Sequence, residues 1–225
     1  NCTYNRNGHC ESHLLILKMT YYIIYFIPCL RRIKVKLLKC LSESVCELLC
    51  EVSEKIPLTV ELGLQSSSDV TAKRICRGHT MADFEEGYAR LRRVVPKAEV
   101  CVHVIFGLPD ESDEDMMNTV RKVAELEPEQ VKIHLLHVIK DTPLGDEYLR
   151  GEYEPLDRER YISLVCEALK LLPSETVICR LTGDGIAEDL LAPEYSKRKI
   201  AILNDIDKNM FLSDATQGCK YQKNT

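Results

Sequence analysis

The sequence predicts an α/β protein built on a parallel sheet. Three observations carry this reading: short runs rich in β-branched residues recur between breakers, apolar residues at helical spacing fill the gaps, and the two kinds of segment alternate. Strand, helix, strand at this spacing implies right-handed crossovers, which leaves a doubly wound sheet or part of a barrel.

Residues 1–40 stand apart. The run Tyr21-Tyr22-Ile23-Ile24-Tyr25-Phe26 leads into a basic stretch from Arg31 to Lys39, and neither clean period is expected there. From Leu41 the pattern is regular. Ser42 is placed to cap a helix through Ser53 whose apolar residues are Val45, Leu48, Leu49 and Val52. Pro57 marks the entry to a strand, Leu58–Leu64; further strands are expected at Val100–Phe106, Val131–Ile139 and Thr176–Leu181. Helices are expected where Phe84, Tyr88, Leu91 and Val95 recur, then Met116, Val120, Val123 and Ala124, then Tyr161, Leu164, Val165, Ala168 and Leu172. Ser112 with Asp115 three residues on is a helix-start signature, and Asp157 can cap the helix holding Tyr161.

Composition narrows the function classes. The chain has 225 residues, is 45% hydrophobic and has no low-complexity tract, which excludes a disordered chain and allows one sizeable core or a core plus a small appendage. A formal net charge of -5 and a pI near 5.8 supply no global basic field, so a nucleic-acid contact would need a local patch. The 11 cysteines are irregularly spaced and no cleavable signal is recognised, so buried thiols in a reducing, cytoplasmic setting are expected. The apolar run from Leu14 to Leu30 is interrupted by Lys18 and falls short of the about 20 apolar residues a span needs, so no membrane partner is expected.

Three motifs choose between the two architectures: Val60-Glu61-Leu62-Gly63-Leu64-Gln65-Ser66, Arg74-Ile75-Cys76-Arg77-Gly78-His79-Thr80, and His103-Val104-Ile105-Phe106-Gly107-Leu108-Pro109. Together they resemble the radical S-adenosylmethionine (SAM) superfamily. Three further runs, Lys132-Ile133-His134-Leu135-Leu136-His137-Val138, Arg180-Leu181-Thr182-Gly183-Asp184 and Leu191-Ala192-Pro193-Glu194-Tyr195-Ser196, are similar to the bacterial YhcC/YtqA family, whose relatives include the elongator catalytic subunit and oxygen-independent coproporphyrinogen oxidase. The resemblance covers about Leu41 to Asp207. It implies the C-terminal part of a partial (β/α) radical SAM barrel with a small C-terminal α/β extension, its sites at the strand C-terminal ends.

Residue by residue, the resemblance implies that Gln65 contacts the ribose or methionine end of SAM and that Arg77 pairs with the methionine carboxylate, a task suited to a planar five-donor fork. His103 matches a position facing the ribose; Ile105, Gly107 and Leu136 match a wall against the adenine. Taken alone, Arg77 reads as a solvated helix-start charge, His103 as a core histidine, and Gly107 as a strand-ending turn. Motif order favours the site. His134 and His137, three apart on one expected strand, point to opposite faces, so at most one faces the cavity. Arg180, Thr182 and Asp184 end the last strand as substrate-contact candidates, with turn formation an equal reading.

The same resemblance implies a 4Fe–4S cluster on three close cysteines, a reductant, and reductive cleavage of SAM to a 5′-deoxyadenosyl radical acting on an unknown substrate. Cys46-x3-Cys50 mimics part of that pattern, but Ser53 stands at the third position and the stretch reads as helix; Cys2, Asn5, Arg6, Asn7, Gly8 and Cys10 echo the family's run only faintly. No cluster is therefore expected in this chain, and residues 1–40 are expected not to pack as the family's first strands. The expected organisation is an atypical segment 1–40, the C-terminal half of the barrel over 41–145 and an extension over 146–225. The elongator resemblance brings in RNA as a partner class, though residues 146–225 hold no basic–aromatic run. The alternative function is a non-catalytic α/β module for ligand or protein binding.

Overall fold

The computed structural model describes residues 33–37 (backbone only), 41–183 and 188–223. In chain order the elements are β1 (Ile33–Leu37), α1 (Glu43–Ser53), β2 (Leu58–Gln65), α2 (Asp69–Arg74), α3 (Met81–Val94), β3 (Glu99–Phe106), α4 (Asp113–Glu125), β4 (Gln130–Leu135), β5 (Val138–Ile139), α5 (Pro143–Leu149), α6 (Arg158–Leu171), β6 (Val177–Arg180), β7 (Leu190–Ala192), a 3₁₀ turn (Glu194–Lys197) and α7 (Lys199–Leu212). Among the described residues, five strands make one sheet in the order β1-β2-β3-β4-β6, parallel at every neighbour, while β5 and β7 form a separate antiparallel pair.

Two of these elements correct the sequence reading. Ile33–Leu37 lies in the segment expected to stay outside the family's strands, yet it runs parallel to β2, with Ile33 opposite Leu58 and Leu37 opposite Leu62. The rest of residues 1–40, with Cys2, Asn5, Arg6, Asn7, Gly8 and Cys10, lies outside the described residues. The single expected strand Val131–Ile139 is two: β4 ends at Leu135, and Val138–Ile139 leaves the sheet to pair with Leu190–Ala192. The absence of Gly and Pro between Val131 and Ile139 conceals that change of partner.

Helix starts follow local chemistry. Thr80 with Asp83 and Ser112 with Asp115 close reciprocal capping boxes, and Ser68, Thr142 and Asp157 accept from backbone N–H groups of their first turns. Ser42 occupies its expected N-cap without capping; its hydroxyl lies 3.1 Å from that of Ser44.

The sheet has two chemically different faces. Val60, Leu62 and Leu64 of β2, Val100, Val102, Val104 and Phe106 of β3, and Val131, Ile133 and Leu135 of β4 pack with the apolar faces of α1, α3, α4 and α6 into one core. Alternate residues fall on the other side, because strand side chains have a period of two. That set is Thr59, Glu61, Gly63 and Gln65; Cys101, His103 and Ile105; and Gln130, Lys132 and His134. α7 adds Ile202 and Ile206 to the core beside α6. β6 comes from beyond residue 145, so the sheet runs across the expected division between barrel and extension.

Candidate functional site

The interior face is organised in rows. Nearest the strand N-termini, Thr59, Glu99, Gln130 and Cys179 form a polar chain: Thr59 Oγ1 reaches Glu99 Oε2 at 3.5 Å, Gln130 Nε2 donates to Glu99 Oε2 at 2.5 Å, and the Cys179 thiol reaches Gln130 Oε1 at 3.1 Å. One row further, Lys132 Nζ donates to Glu61 Oε1 at 2.7 Å and His103 Nε2 lies 3.3 Å from Glu61 Oε2. Side-chain exposure is 3% for Glu61, 13% for Lys132 and 15% for His103, so three ionisable groups from three neighbouring strands share one shielded layer. The His103 and His134 rings lie 5.2 Å apart, centre to centre.

At the C-terminal end of β2 the strand carries an irregularity between Gly63 and Gln65, and Gln65 takes a left-handed backbone with φ 72°. A non-glycine residue held there stores strain that a functional site commonly retains. Arg77 lies beside it. Arg77 Nη2 donates to the Gly63 carbonyl oxygen, and a Cβ placed on Gly63 would lie 2.6 Å from Gln65 Nε2 and 2.9 Å from Arg77 Nη2. Both polar heads therefore close over the one position on β2 that has no side chain. Arg77 Nε and Gln65 Oε1 are buried with no hydrogen-bond partner among the described residues. Burial also pushes the Arg77 guanidinium pKa below its ordinary value.

The remaining candidates distribute as follows. Ile105 is half-buried on the interior face, in register with His134. Gly107 follows β3 with φ 86°; its N–H points at Met116 Sδ, its carbonyl accepts from the Tyr153 hydroxyl at 2.6 Å, and an added Cβ would meet Leu156 at 3.2 Å. Burial raises the Tyr153 phenol to about 12, so it stays a neutral donor. Leu136 is half-buried and its N–H bonds the Phe106 carbonyl at 2.9 Å. Arg180 is opposite Lys132 in register, but its strand neighbour Cys179 is the one that reaches the interior Gln130. Thr182 is buried, and Asp184 lies outside the described residues.

His134 sits on the interior face, whereas His137 lies beyond the end of β4, so strand alternation does not govern it. Its ring rests on Gly183, where an added Cβ would approach to 2.8 Å. Burial and nearby Lys199 lower its pKa. Cys46 and Cys50 lie on α1, one turn apart, and no group of three or more His, Cys, Asp or Glu among the described residues is arranged to hold a metal ion.

Sequence reasoning did not single out Glu61, Lys132 or Glu111. The first two left a signal: a charged residue flanked by apolar ones in each of two strands, in Thr59-Val60-Glu61-Leu62-Gly63 and Val131-Lys132-Ile133-His134.

Comparison with known proteins adds identity to this geometry. Residues 21–123 match the radical SAM superfamily and residues 128–211 match the radical SAM C-terminal domain. YtqA of Bacillus subtilis (strain 168) is 39% identical over 184 residues, 82% of this chain and 56% of YtqA. YhcC of Escherichia coli (strain K12) is 29% identical over 170 residues, 75% of this chain and 54% of YhcC. The chain thus spans about half the length of these relatives. Among solved structures, the archaeal Methanocaldococcus infernus Elp3 with an N-terminal deletion (1–46) superposes with a TM-score of 0.67 at 22% identity, covering 83% of this chain and 42% of that one. That likeness is one of fold. With a parallel strand–helix sheet of this topology and family matches running from residue 21 to residue 211, the chain belongs to the radical SAM superfamily, alongside YtqA and YhcC.

Proposed function

We propose that the interior face binds SAM, with Arg77 and Gln65 at its methionine and ribose end, His103 near the ribose, and Ile105, Gly107 and Leu136 beside the adenine. The observation that carries this reading is the convergence of Gln65 and Arg77 over Gly63 with Gln65 Oε1 and Arg77 Nε buried and unmet. Buried polar atoms left without partners are costly, so a ligand that satisfies both offsets the cost. SAM offers a carboxylate for the guanidinium and hydroxyls for the amide.

Bound SAM, together with a 4Fe–4S cluster and a reductant, supplies hydrogen-atom abstraction in this superfamily. The chain's own contribution is to orient: Arg77 fixes the carboxylate end, the left-handed Gln65 turns its amide towards Arg77, and Tyr153 holds the Gly107 peptide by its carbonyl. The described cysteines are unsuited to a cluster. Cys46 and Cys50 are helical neighbours, and Cys46 is fully buried, its thiol raised in pKa chiefly by that burial. The reading attributes no radical generation to this chain alone, because its sequence lacks three close cysteines at the expected spacing. Thr182, two residues past β6, is one proposed substrate contact.

Anaerobic calorimetry of SAM, with iron counted in the same sample, tests the reading. Arg77→Ala is expected to weaken binding by about 2 kcal/mol, roughly thirtyfold, because a charge-assisted contact is lost. Arg77→Lys should recover part of it, since a point charge cannot reproduce the fork. Equal affinity in Arg77→Ala and the parent chain would remove the assignment, and stoichiometric cluster iron would overturn the statement about the chain alone.

A further inference from the structure

Lys132 occupies the centre of the interior face, in register with His103 on one side and Arg180 on the other, one row from the Gln65–Arg77 pair. Its ammonium has three donors. Among the described residues, the hydrogen bond it makes is the one to Glu61 Oε1. Two donors therefore remain inside a layer that is 13% exposed at Lys132 and 3% at Glu61. Enclosing such a pair costs the hydration of both charges, and apolar side chains of similar volume commonly do as well or better for stability. The other faces of the same strands show what this chain uses where packing alone matters: Val60, Leu62, Val102, Val131 and Ile133.

We propose that Lys132 is a ligand-binding residue that takes an oxyanion, a carboxylate or a phosphate, of the substrate lying on this face. Glu61 is its positioning partner. The carboxylate holds the ammonium towards β2 through one donor and leaves the other two for the ligand, while its second oxygen lies 3.3 Å from His103 Nε2. The inference rests on the reading that the interior face is the ligand cavity, and it adds the charge class of the substrate. An acidic group at Lys132 would sit beside the His103 and His134 rings, which makes those rings its reporters.

The test is ring NMR of the whole chain with its six histidines labelled, titrated at constant pH and ionic strength with inorganic phosphate in one arm and acetate in the other. Saturable shifts of the His103 and His134 signals are expected in at least one arm, and the responding arm names the oxyanion. Lys132→Met, of similar length and without charge, should abolish the shifts while keeping the dispersed spectrum of a folded chain. Glu61→Gln should tighten the anion roughly threefold or more, because a competing negative charge beside the site is gone. No saturable shift in the parent chain, or the same shift in Lys132→Met, overturns the proposal. If Lys132→Met does not fold, the Glu61→Gln titration decides, and unchanged or weaker affinity overturns it. Saturating S-adenosylhomocysteine in a parallel sample separates the two readings: a Lys132-dependent anion shift without any nucleoside binding sustains this inference and removes the SAM assignment.

Discussion

Glu111 shows how a single buried carboxyl ties the rim of the site together. It lies in the loop after β3, accepts from the Ser66 hydroxyl in the loop after β2, and is also hydrogen-bonded by Thr71. Ser66 in turn accepts from the Ser68 N–H at 3.0 Å, so one carboxyl fixes the path of the chain just past Gln65. Burial raises the Glu111 pKa, outweighing the two hydroxyl contacts that lower it. The folded chain therefore binds this proton more readily than the unfolded one. The stability it contributes is complete below the unfolded carboxyl value and is lost as pH rises through the raised folded value. Glu111→Gln, which keeps the shape and cannot ionise, should lose less stability than the parent across that rise; parallel urea midpoints against pH in the two proteins would refute this. None of these links is visible in sequence, where Ser66 and Glu111 are 45 positions apart. The same limit hid the Glu61–Lys132 pair: alternation places both residues on one face, but only the register of β2, β3 and β4 brings Nζ within 2.7 Å of Oε1.

At the scale of elements, sequence signals were strongest where two physical demands coincide. The helices around Val120 and Val165 combine an apolar stripe with a capping residue, and their starts at Ser112 and Asp157 follow from it. The split between β4 and β5 carried no such signal, since the chain changes partner without changing composition. Glycines on these elements separate packing from binding. At Gly145, in the first turn of α5, an added Cβ would lie 2.4 Å from the Ile139 carbonyl oxygen, which is backbone and cannot yield cheaply. Gly145→Ala should cost about 1–3 kcal/mol, as overpacking does. At Gly63 the obstructing atoms are the flexible ends of Gln65 and Arg77. Gly63→Ala should fold with nearly unchanged stability but bind SAM far more weakly, because both polar heads must move. Denaturant unfolding and calorimetry on the two variants check the contrast; a Gly63→Ala chain that binds as the parent does would break the link between that glycine and the site.

At the scale of the whole molecule, the decisive asymmetry among the described residues is a parallel sheet with helices on one face and charged or polar groups on the other, bounded there by β1 and β6. An open parallel sheet exposes unpaired backbone groups at each edge, and an uncovered edge is a template for association with another chain. β1 covers that edge of β2 through five register positions from Ile33 to Leu37. Its sequence, Ile33-Lys34-Val35-Lys36-Leu37, alternates with a period of two, a strand signal obscured because it lies within the basic stretch that ends at Lys39. The segment expected to stay outside the family's strands therefore supplies one strand of this sheet. A chain beginning at Leu41 should lose stability and self-associate through the freed edge of β2, whereas a chain beginning at Arg32 keeps the pairing and should stay dispersed. Light scattering and urea unfolding of the two shortened chains, side by side, measure the difference. If both behave alike, the β1–β2 ladder contributes nothing to the fold; if the Leu41 chain alone aggregates and the addition of nine residues cures it, the sheet depends on backbone pairing that begins before the regular pattern of the sequence does.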